Sequence, residues 1–292
     1  MLRELARHYC FTHEKNLAAL AIDFSISALQ IGALVCLGYL GFLSGASAWA
    51  VIGLCCLVVV GIWYQQRGPK VQFQKQSIRN DWTQNWSFGK WAVGGQLVGS
   101  LPVLLLPWII AGATSTKDTG YFGAAMTLIG LANIFNSGMS NYLTPKAAKV
   151  FVEEGVNALR TTLFQIAIFF VVVLGSFIIL ISGLGEWIVS MTYGYSGLHT
   201  VMIILAVAKL FDSLTIVASN GLFVLEQIKP NFFIDVILLV VTLIAAVLLV
   251  IPYGILGAAW TTLIASAVSA SLRTVAVIYF LQQRSKIEGA SQ

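Results

Sequence analysis

The charged residues that could do chemistry in this chain lie within long apolar stretches. Lys209 and Asp212 occur near the centre of an apolar run at 197–224, and their spacing places them on one face of a helix. A charge within a bilayer costs about 2.5–3.5 kcal/mol on insertion scales, so it usually faces a partner or a watery cavity. Two interpretations stay open. Either the two side chains neutralise each other and hold helices together, or Lys209 attracts a pyrophosphate while Asp212 tunes the lysine or binds a cation.

A second group consists of amides and hydroxyls within the apolar run at 119–143. Its members recur at spacings of three and four, which gives them one broad helical face. They are Asn133, Asn136, Ser137, Ser140 and Asn141. Small polar residues on one face favour tight packing between membrane helices, and the alternative is a cavity wall whose amides bind sugars. Gln96 and Asn220 are weaker candidates of the same kind.

Three further charges lie about two turns from the predicted cytoplasmic helix ends. Asp23 and Asp235 are expected to reach the interface or to meet basic residues there. Arg273 is placed so that its long side chain can extend to the membrane surface. Together with Lys90 it would form a cytoplasmic mouth that attracts an anionic lipid headgroup.

The chain lacks the residue patterns of the common catalytic and metal sites. No HExxH, GxSxG, Walker A or CxxC motif occurs, and the three histidines are scattered without acidic neighbours. A membrane-embedded glycosyltransferase or acyltransferase would need carboxylates in cytoplasmic loops, where only Asp81, Glu153 and Glu154 are available. We therefore predict neither an enzyme nor a cofactor.

Composition indicates that most of the chain faces lipid. Hydrophobic residues make up 58% of the 292 residues and charged residues 10%, against about 25% charged in soluble domains. The backbone in hydrocarbon must satisfy its own hydrogen bonds, as helices do. The net charge of +5 comes from basic residues in loops between the apolar runs, which is typical of membrane topology rather than of nucleic-acid binding.

Eight apolar runs are long enough to cross a bilayer, which takes about 20 helical residues. Lettered A to H, they are roughly 17–43, 46–64, 87–112, 119–143, 158–183, 197–224, 231–251 and 255–281. Fourteen of the 17 basic residues fall on one side of these runs, and only Lys117 falls on the other. Because basic loops mark the cytoplasmic side, both termini are predicted to be cytoplasmic.

Runs A–B and G–H resemble each other, which indicates an internal repeat. Asp23 and Asp235 are 212 residues apart, and Trp49 and Trp260 are 211 apart. A near-constant offset is typical of a duplication, and both copies start on the same side, so the repeats are parallel. Residues 1–80 would then hold the last two helices of an incomplete N-terminal lobe and a cytoplasmic linker. Residues 81–292 would form a six-helix C-terminal lobe, which gives an all-α polytopic membrane protein.

Three stretches resemble the polysaccharide flippases of the multidrug/oligosaccharidyl-lipid/polysaccharide exporter superfamily. They are Tyr121 to Pro145 (YFGAAMTLIGLANIFNSGMSNYLTP), Trp86 to Trp91 (WSFGKW), and Leu2 to Asp23, a basic stretch leading into a helix with an early Asp. Relative to that family's architecture of about twelve helices, the first four, about 130 residues, would be missing. A partner would then supply the missing half, or the chain is a fragment.

The resemblance implies a transporter of the bacterial inner membrane that moves a lipid-linked oligosaccharide or polysaccharide precursor outward. It also implies a central cavity between two lobes, alternating access, and coupling to a cation gradient in some members. Two alternatives to the flippase stay open besides a membrane enzyme. One is a small-molecule exporter of the related multidrug class, which acidic and aromatic cavity residues would favour. The other is a truncated remnant that does not transport.

Overall fold

The computed structural model describes residues 2–12, 15–67 and 75–290, and it contains helices but no strand in these ranges. The helices are α1 (Leu2–Thr12), α2 (Asn16–Tyr39), α3 (Gly45–Arg67), α4 (Lys75–Ala113), α5 (Thr116–Ile129), α6 (Ala132–Tyr193), α7 (His199–Val224) and α8 (Ile228–Ala290). Within the described ranges, six of them are long and apolar enough to cross a membrane: α2, α3, α4, α6, α7 and α8.

Helices α6 and α8 are hairpins of two spans each. The apolar part of α6 is 62 residues long, which as a straight helix would measure about 90 Å, three times the thickness of a bilayer core. Gly155 (φ 82°, ψ −170°) reverses α6, and Gly254 (φ 55°, ψ −129°) reverses α8. A side chain would be strained at these positive φ values. The rings of Phe135 and Phe170 lie 5.3 Å apart across the α6 hairpin.

Because α6 and α8 each contribute two spans, the six apolar helices of the described ranges form eight membrane-crossing segments. The predicted all-α polytopic fold is confirmed. Two details differ from the sequence prediction. Run D is divided at Gly130 and Leu131, where the backbone changes to tighter hydrogen bonds, such as Leu131 N to Leu128 O at 3.2 Å. Run E does not end near 183, because the second arm of α6 continues to Tyr193.

The chain divides into two compact units, Met1–Arg79 and Asn80–Gln292. This division lies beside the boundary predicted at residue 80. The assignment of the units to the lobes of a larger transporter stays a prediction.

The first unit is built around the contact of α1 with α2 and α3. Ala6 and Cys10 of α1 are fully buried against Ile22 and Ile26 of α2. Burial raises the pKa of the Cys10 thiol above its ordinary value, which keeps the thiol protonated near neutral pH. The thiol that packs α1 onto α2 is therefore uncharged.

The repeat has a counterpart in the helix boundaries. The end of α1 and the start of α2 precede the end of α7 and the start of α8 by 212 residues each. The connecting turns also match, because Lys15 N donates to Cys10 O and Gln227 N donates to Leu222 O, both at 2.8 Å. The first 11-residue helix thus corresponds to the last part of α7.

Helix α7 is the central helix of the second unit. Half of the residues in its most apolar 18-residue stretch are buried, whereas 22% are buried in the corresponding stretches of α6 and α8. Its first part packs into one apolar cluster, through residues such as Met202, and its last part packs into another, through residues such as Leu222. The middle of α7 lies between these clusters and carries its charged side chains, so the apolar cores fix the position of a polar segment.

Candidate functional site

The charged pair predicted at the centre of α7 is present and partly open. Lys209 Nζ lies 3.4 Å from Asp212 Oδ2, and the two side chains are 17% and 40% exposed. They are residues 11 and 14 of a 26-residue helix, so they lie near its middle. Tight packing therefore does not enclose the pair, and its role in binding stays a prediction.

Asp212 has a second partner on another helix. Ser266 Oγ, on the second arm of α8, donates to Asp212 Oδ1 at 2.5 Å. One turn further along, Thr215 Oγ1 donates to Ser269 Oγ at 3.3 Å. The polar face of α7 is thereby tied to α8 on one side, and the carboxylate of Asp212 has one oxygen held by each partner.

Arg273 is buried rather than extended toward the headgroups. Its Nε donates to Asn231 Oδ1 at 3.1 Å, while the two terminal nitrogens donate to Ser269 and Asp235. The residue is 6% exposed. The expectation that Arg273 reaches the membrane surface is therefore wrong, because the carboxylate of Asp235 on the first arm of α8 draws the guanidinium inward.

Asp235 also explains two glycines of α4. A Cβ atom at Gly95 would lie 3.1 Å from Asp235 Oδ2, and one at Gly99 would lie 3.3 Å from Asp235 Oδ1. The missing side chains let α4 approach the carboxylate closely. Gln96, between the two glycines, is exposed, so it is not part of this buried cluster.

The polar face predicted in run D separates into two stripes. The buried stripe faces α7: Ser213 Oγ donates to Asn136 Oδ1 at 2.9 Å, and Asn220 Nδ2 donates to Ser140 Oγ at 3.2 Å. Thr144 Oγ1 also donates to Asn220 Oδ1, at 3.1 Å. These bonds join the first arm of α6 to α7, which is the packing role considered for the amides.

The other stripe lies on the surface of the second unit. Asn133 and Ser137 are exposed and Asn141 is half-buried, and their spacing of four aligns them along the helix. Polar groups in contact with hydrocarbon lose hydrogen bonds that nothing replaces. These side chains therefore suit a wet or polar surrounding better than lipid.

Lys90 is exposed and lies beside a cluster that the sequence did not suggest. Its Nζ is 5.8 Å from the centre of the Trp91 ring, and Lys229 Nζ is also 5.8 Å from that ring. Neither lysine reaches the buried Arg273 through a hydrogen bond. Lys90 and Arg273, which were predicted to share one cytoplasmic mouth, thus have different surroundings. The position of Lys229 beside Trp91 was not predicted, because nothing local in the sequence links the two residues.

The metal-ligating side chains and one groove of the described residues bear on the kind of ligand that the chain could hold. In the ranges that the structure covers, no three His, Cys, Asp or Glu side chains group together. An open groove of about 340 Å³ on α8 is lined entirely by apolar side chains such as Val241 and Ile264. This groove suits lipid rather than a charged substrate.

Comparisons with known proteins give structural matches only. No family model matches the chain, and no curated protein matches it. A multidrug resistance MATE family transporter of the MOP superfamily, in an outward-facing conformation, superposes with TM-score 0.77 at 14% identity, over 91% of this chain and 62% of its own. A MOP superfamily transporter from Pyrococcus furiosus gives 0.77 at 17% identity, over 91% and 62%. A MATE structure in the bent conformation gives 0.75 at 16% identity, over 94% and 63%.

The chain spans less than two thirds of each of these transporters. At this level of identity, the superposition establishes a shared fold. The all-α membrane architecture of the chain is therefore that of the matching part of these proteins.

Proposed function

We propose that this chain is part of a membrane transporter that moves a lipid-linked oligosaccharide or polysaccharide precursor by alternating access. The observation that carries the proposal is the partly exposed Lys209–Asp212 pair near the middle of a membrane helix. A charge at that depth is tolerated where it lines an internal, watery cavity. The fold that the chain shares with MOP superfamily transporters supports the same reading.

The geometry of the pair fits the capture of an anionic group such as a pyrophosphate. The ammonium of Lys209 carries three donors, and its distance of 3.4 Å to Asp212 is long for a hydrogen bond. Ser266 holds the other carboxylate oxygen at 2.5 Å. When an anion draws Lys209 away, Asp212 keeps a partner, so releasing the lysine costs less than opening a fully closed ion pair.

The exposed stripe of α6 fits the saccharide. Asn133 and Asn141 present side-chain amides, which donate and accept hydrogen bonds as sugar hydroxyls do. Asn136 is adjacent but is already bonded to Ser213, so it positions the stripe instead of binding the sugar. We place the transporter in a bacterial inner membrane with both termini in the cytoplasm, following the distribution of basic loops.

A second candidate is an exporter of small cationic amphiphiles. It is favoured by the carboxylate of Asp212, which is 40% exposed while the Lys209 side chain is 17% exposed. One of the structural neighbours is described as a multidrug resistance transporter. In that case Asp212 would bind the ligand and Lys209 would only neutralise the empty site.

Flux measurements with the transporter that contains this chain separate the two candidates. For an anionic substrate, Lys209→Gln lowers the initial rate of lipid-linked saccharide transport in proteoliposomes at least about tenfold, which corresponds to the loss of one charge-assisted hydrogen bond. Lys209→Arg keeps most of the activity, and Lys117→Gln, which removes an exposed lysine of α5, leaves it unchanged. Full saccharide flux in Lys209→Gln would refute the proposal. Loss of cationic dye export in Asp212→Asn alone would favour the second candidate.

A further inference from the structure

Two lysines from different helices meet at one tryptophan of the second unit. Lys90 of α4 and Lys229 of α8 each place their ammonium 5.8 Å from the centre of the Trp91 ring. Both side chains are exposed. We refer to Lys90, Trp91 and Lys229 as the lysine clamp.

The tryptophan of the clamp is held firmly. Its ring packs edge to face on Phe232 at 5.3 Å and lies 6.0 Å from Phe233. The Phe232 ring in turn occupies the space above Gly94, where a Cβ atom would lie 3.1 Å from it. Because these ring contacts join α4 to the start of α8, the fold holds both ammonium groups at 5.8 Å from the centre of the same ring.

The clamp has an excess of positive charge. Among the residues that the structure describes, neither Lys90 nor Lys229 forms an ion pair. Glu226, in the turn before α8, forms none with Lys229, and Asp235 is already held by Arg273. Each contact with the indole stabilises its lysine by only about 0.5–1 kcal/mol at an exposed site, and it does not cancel the positive charge. The first backbone N–H groups of α8 add partial positive charge.

The internal repeat indicates that the fold itself does not require the clamp. The position equivalent to Lys229 in the first repeat, 212 residues earlier, is Leu17, which is 82% exposed. A helix of this kind can therefore begin with an apolar residue at the same place. Lys229 therefore adds a positive charge that the first copy of the repeat lacks at this position.

The surroundings of the clamp match the headgroup level of a membrane. Trp86, one turn before Lys90, is 57% exposed, and Trp82, one turn earlier, is 68% exposed. The two indoles stack at 5.9 Å along α4. Exposed tryptophans concentrate where lipid headgroups meet hydrocarbon, and Phe233, 54% exposed beside the clamp, offers an apolar surface for an acyl chain.

We propose that the lysine clamp binds the phosphate group of an anionic membrane lipid. The ammonium groups of Lys90 on α4 and Lys229 on α8 donate hydrogen bonds to the phosphate oxygens. The neighbouring aromatic rings contact the start of the acyl chains. The site is separate from Lys209 and Asp212, and its occupation does not depend on transport. A bound lipid would fasten α4 to the start of α8 and neutralise the clamp.

Lipid binding to the purified full chain tests this proposal. The probes are dioctanoyl phosphatidic acid, dioctanoyl phosphatidylcholine and inorganic phosphate, and bound molecules are counted by native mass spectrometry. We expect phosphatidic acid to bind more tightly than the other two. Lys90→Gln combined with Lys229→Leu should raise its Kd at least about tenfold, as expected for the loss of two charge-assisted contacts.

A matched control removes two other lysines that also lie over aromatic rings. Lys117 lies 5.7 Å from the Tyr121 ring and Lys146 lies 5.2 Å from the Tyr142 ring. The double variant Lys117→Gln with Lys146→Gln should change the Kd less than about twofold, because no second ammonium of the described residues shares either ring. Lys209→Gln should bind phosphatidic acid normally, which separates this test from that of the transport site.

Three results would overturn the proposal. The Kd could be unchanged in the clamp variant, or the control variant could lose as much affinity, which would indicate general surface charge. Inorganic phosphate could bind as tightly as phosphatidic acid, which would refute a lipid as the source of the phosphate. If the double clamp variant does not fold, Lys229→Leu alone replaces it in the experiment, since leucine is the residue of the first repeat at this position. An unchanged Kd for phosphatidic acid in Lys229→Leu would then overturn the proposal.

Discussion

At the scale of single residues, two ion pairs of the second unit differ in how far water or a ligand can reach them. Arg273 and Asp235 have side chains that are 7% and 15% exposed, and further hydrogen bonds from Arg273 reach Asn231 and Ser269. Lys209 and Asp212 are more open and lie at the limit of hydrogen-bond distance. The first pair is therefore closed within the fold, and the second is open, as the proposed binding role requires.

Removing one member of the closed pair should destabilise the protein strongly. Arg273→Met leaves Asp235 buried without its partner, which typically costs about 3–5 kcal/mol. The double variant Arg273→Met with Asp235→Leu should recover most of this loss, since it leaves no buried charge. Thermal unfolding in detergent micelles measures both effects.

Lys209→Gln provides the comparison for this experiment. Its partner keeps the bond from Ser266, so its unfolding temperature should stay near that of the unmodified protein, within the about 0–1 kcal/mol of a partly exposed pair. Equal losses of stability in Lys209→Gln and Arg273→Met would show that the two pairs do not differ as described.

At the scale of helices, two glycines turn long apolar stretches into hairpins. Gly155 combines φ 82° with ψ −170°, a region that is almost restricted to glycine. The turn brings the two arms of α6 together, so that Leu143 and Leu159 are both fully buried in one cluster. The number of membrane crossings depends on these turns as much as on the apolar runs.

Gly155→Ala should cost about 1–3 kcal/mol, because alanine cannot adopt this backbone conformation without strain. Gly175→Ala, in the second arm of the same helix, is the matched control. No atom lies within 4 Å of the Cβ position at Gly175, and alanine favours a helix by about 0.5–1 kcal/mol over glycine. The free energy of unfolding in micelles should therefore fall in the first variant and not in the second. A loss of stability in both would contradict the hairpin geometry.

The sequence predicted those features that depend on neighbouring residues. Apolar runs locate the membrane segments, and the spacing of Lys209 and Asp212 predicts their common face. It did not predict the break at Gly130 and Leu131, because apolarity does not report a change in backbone hydrogen bonding. Arg273 was misplaced for another reason: its partner Asp235 lies 38 residues away, and such contacts depend on how helices pack.

At the scale of the whole molecule, the chain divides into two units, and the predicted repeat has one copy in each. The copies agree in their helix ends, in the hydrogen bond of the connecting turn, and in an aspartate bound to arginine. In the first copy Arg3 and Arg7 of α1 bind Asp23 at 2.8 and 3.1 Å, as expected for that residue. In the second copy Arg273 performs this role from the second arm of α8.

The eight crossings in the described ranges predict that both ends of the chain lie on the same side of the membrane, and the basic loops predict that this side is the cytoplasm. Reporter domains that are active only in the cytoplasm should therefore be active when fused before α1 or after α8. The same reporters inserted at 40–44, between α2 and α3, should be inactive, since that connection lies on the opposite side. Activity at one terminus only would require an odd number of crossings.

The central claim is that the Lys209–Asp212 pair lines a space that water enters. It is tested by replacing the four native cysteines with alanine and introducing Asp212→Cys or Val172→Cys. Val172 is 64% exposed on an apolar arm of α6, so it serves as a lipid-facing control. A charged, membrane-impermeant thiol reagent reacts only with thiolates, which need water to form. We predict that Asp212→Cys reacts at least about tenfold faster than Val172→Cys. Equally slow reaction at both positions would contradict the account.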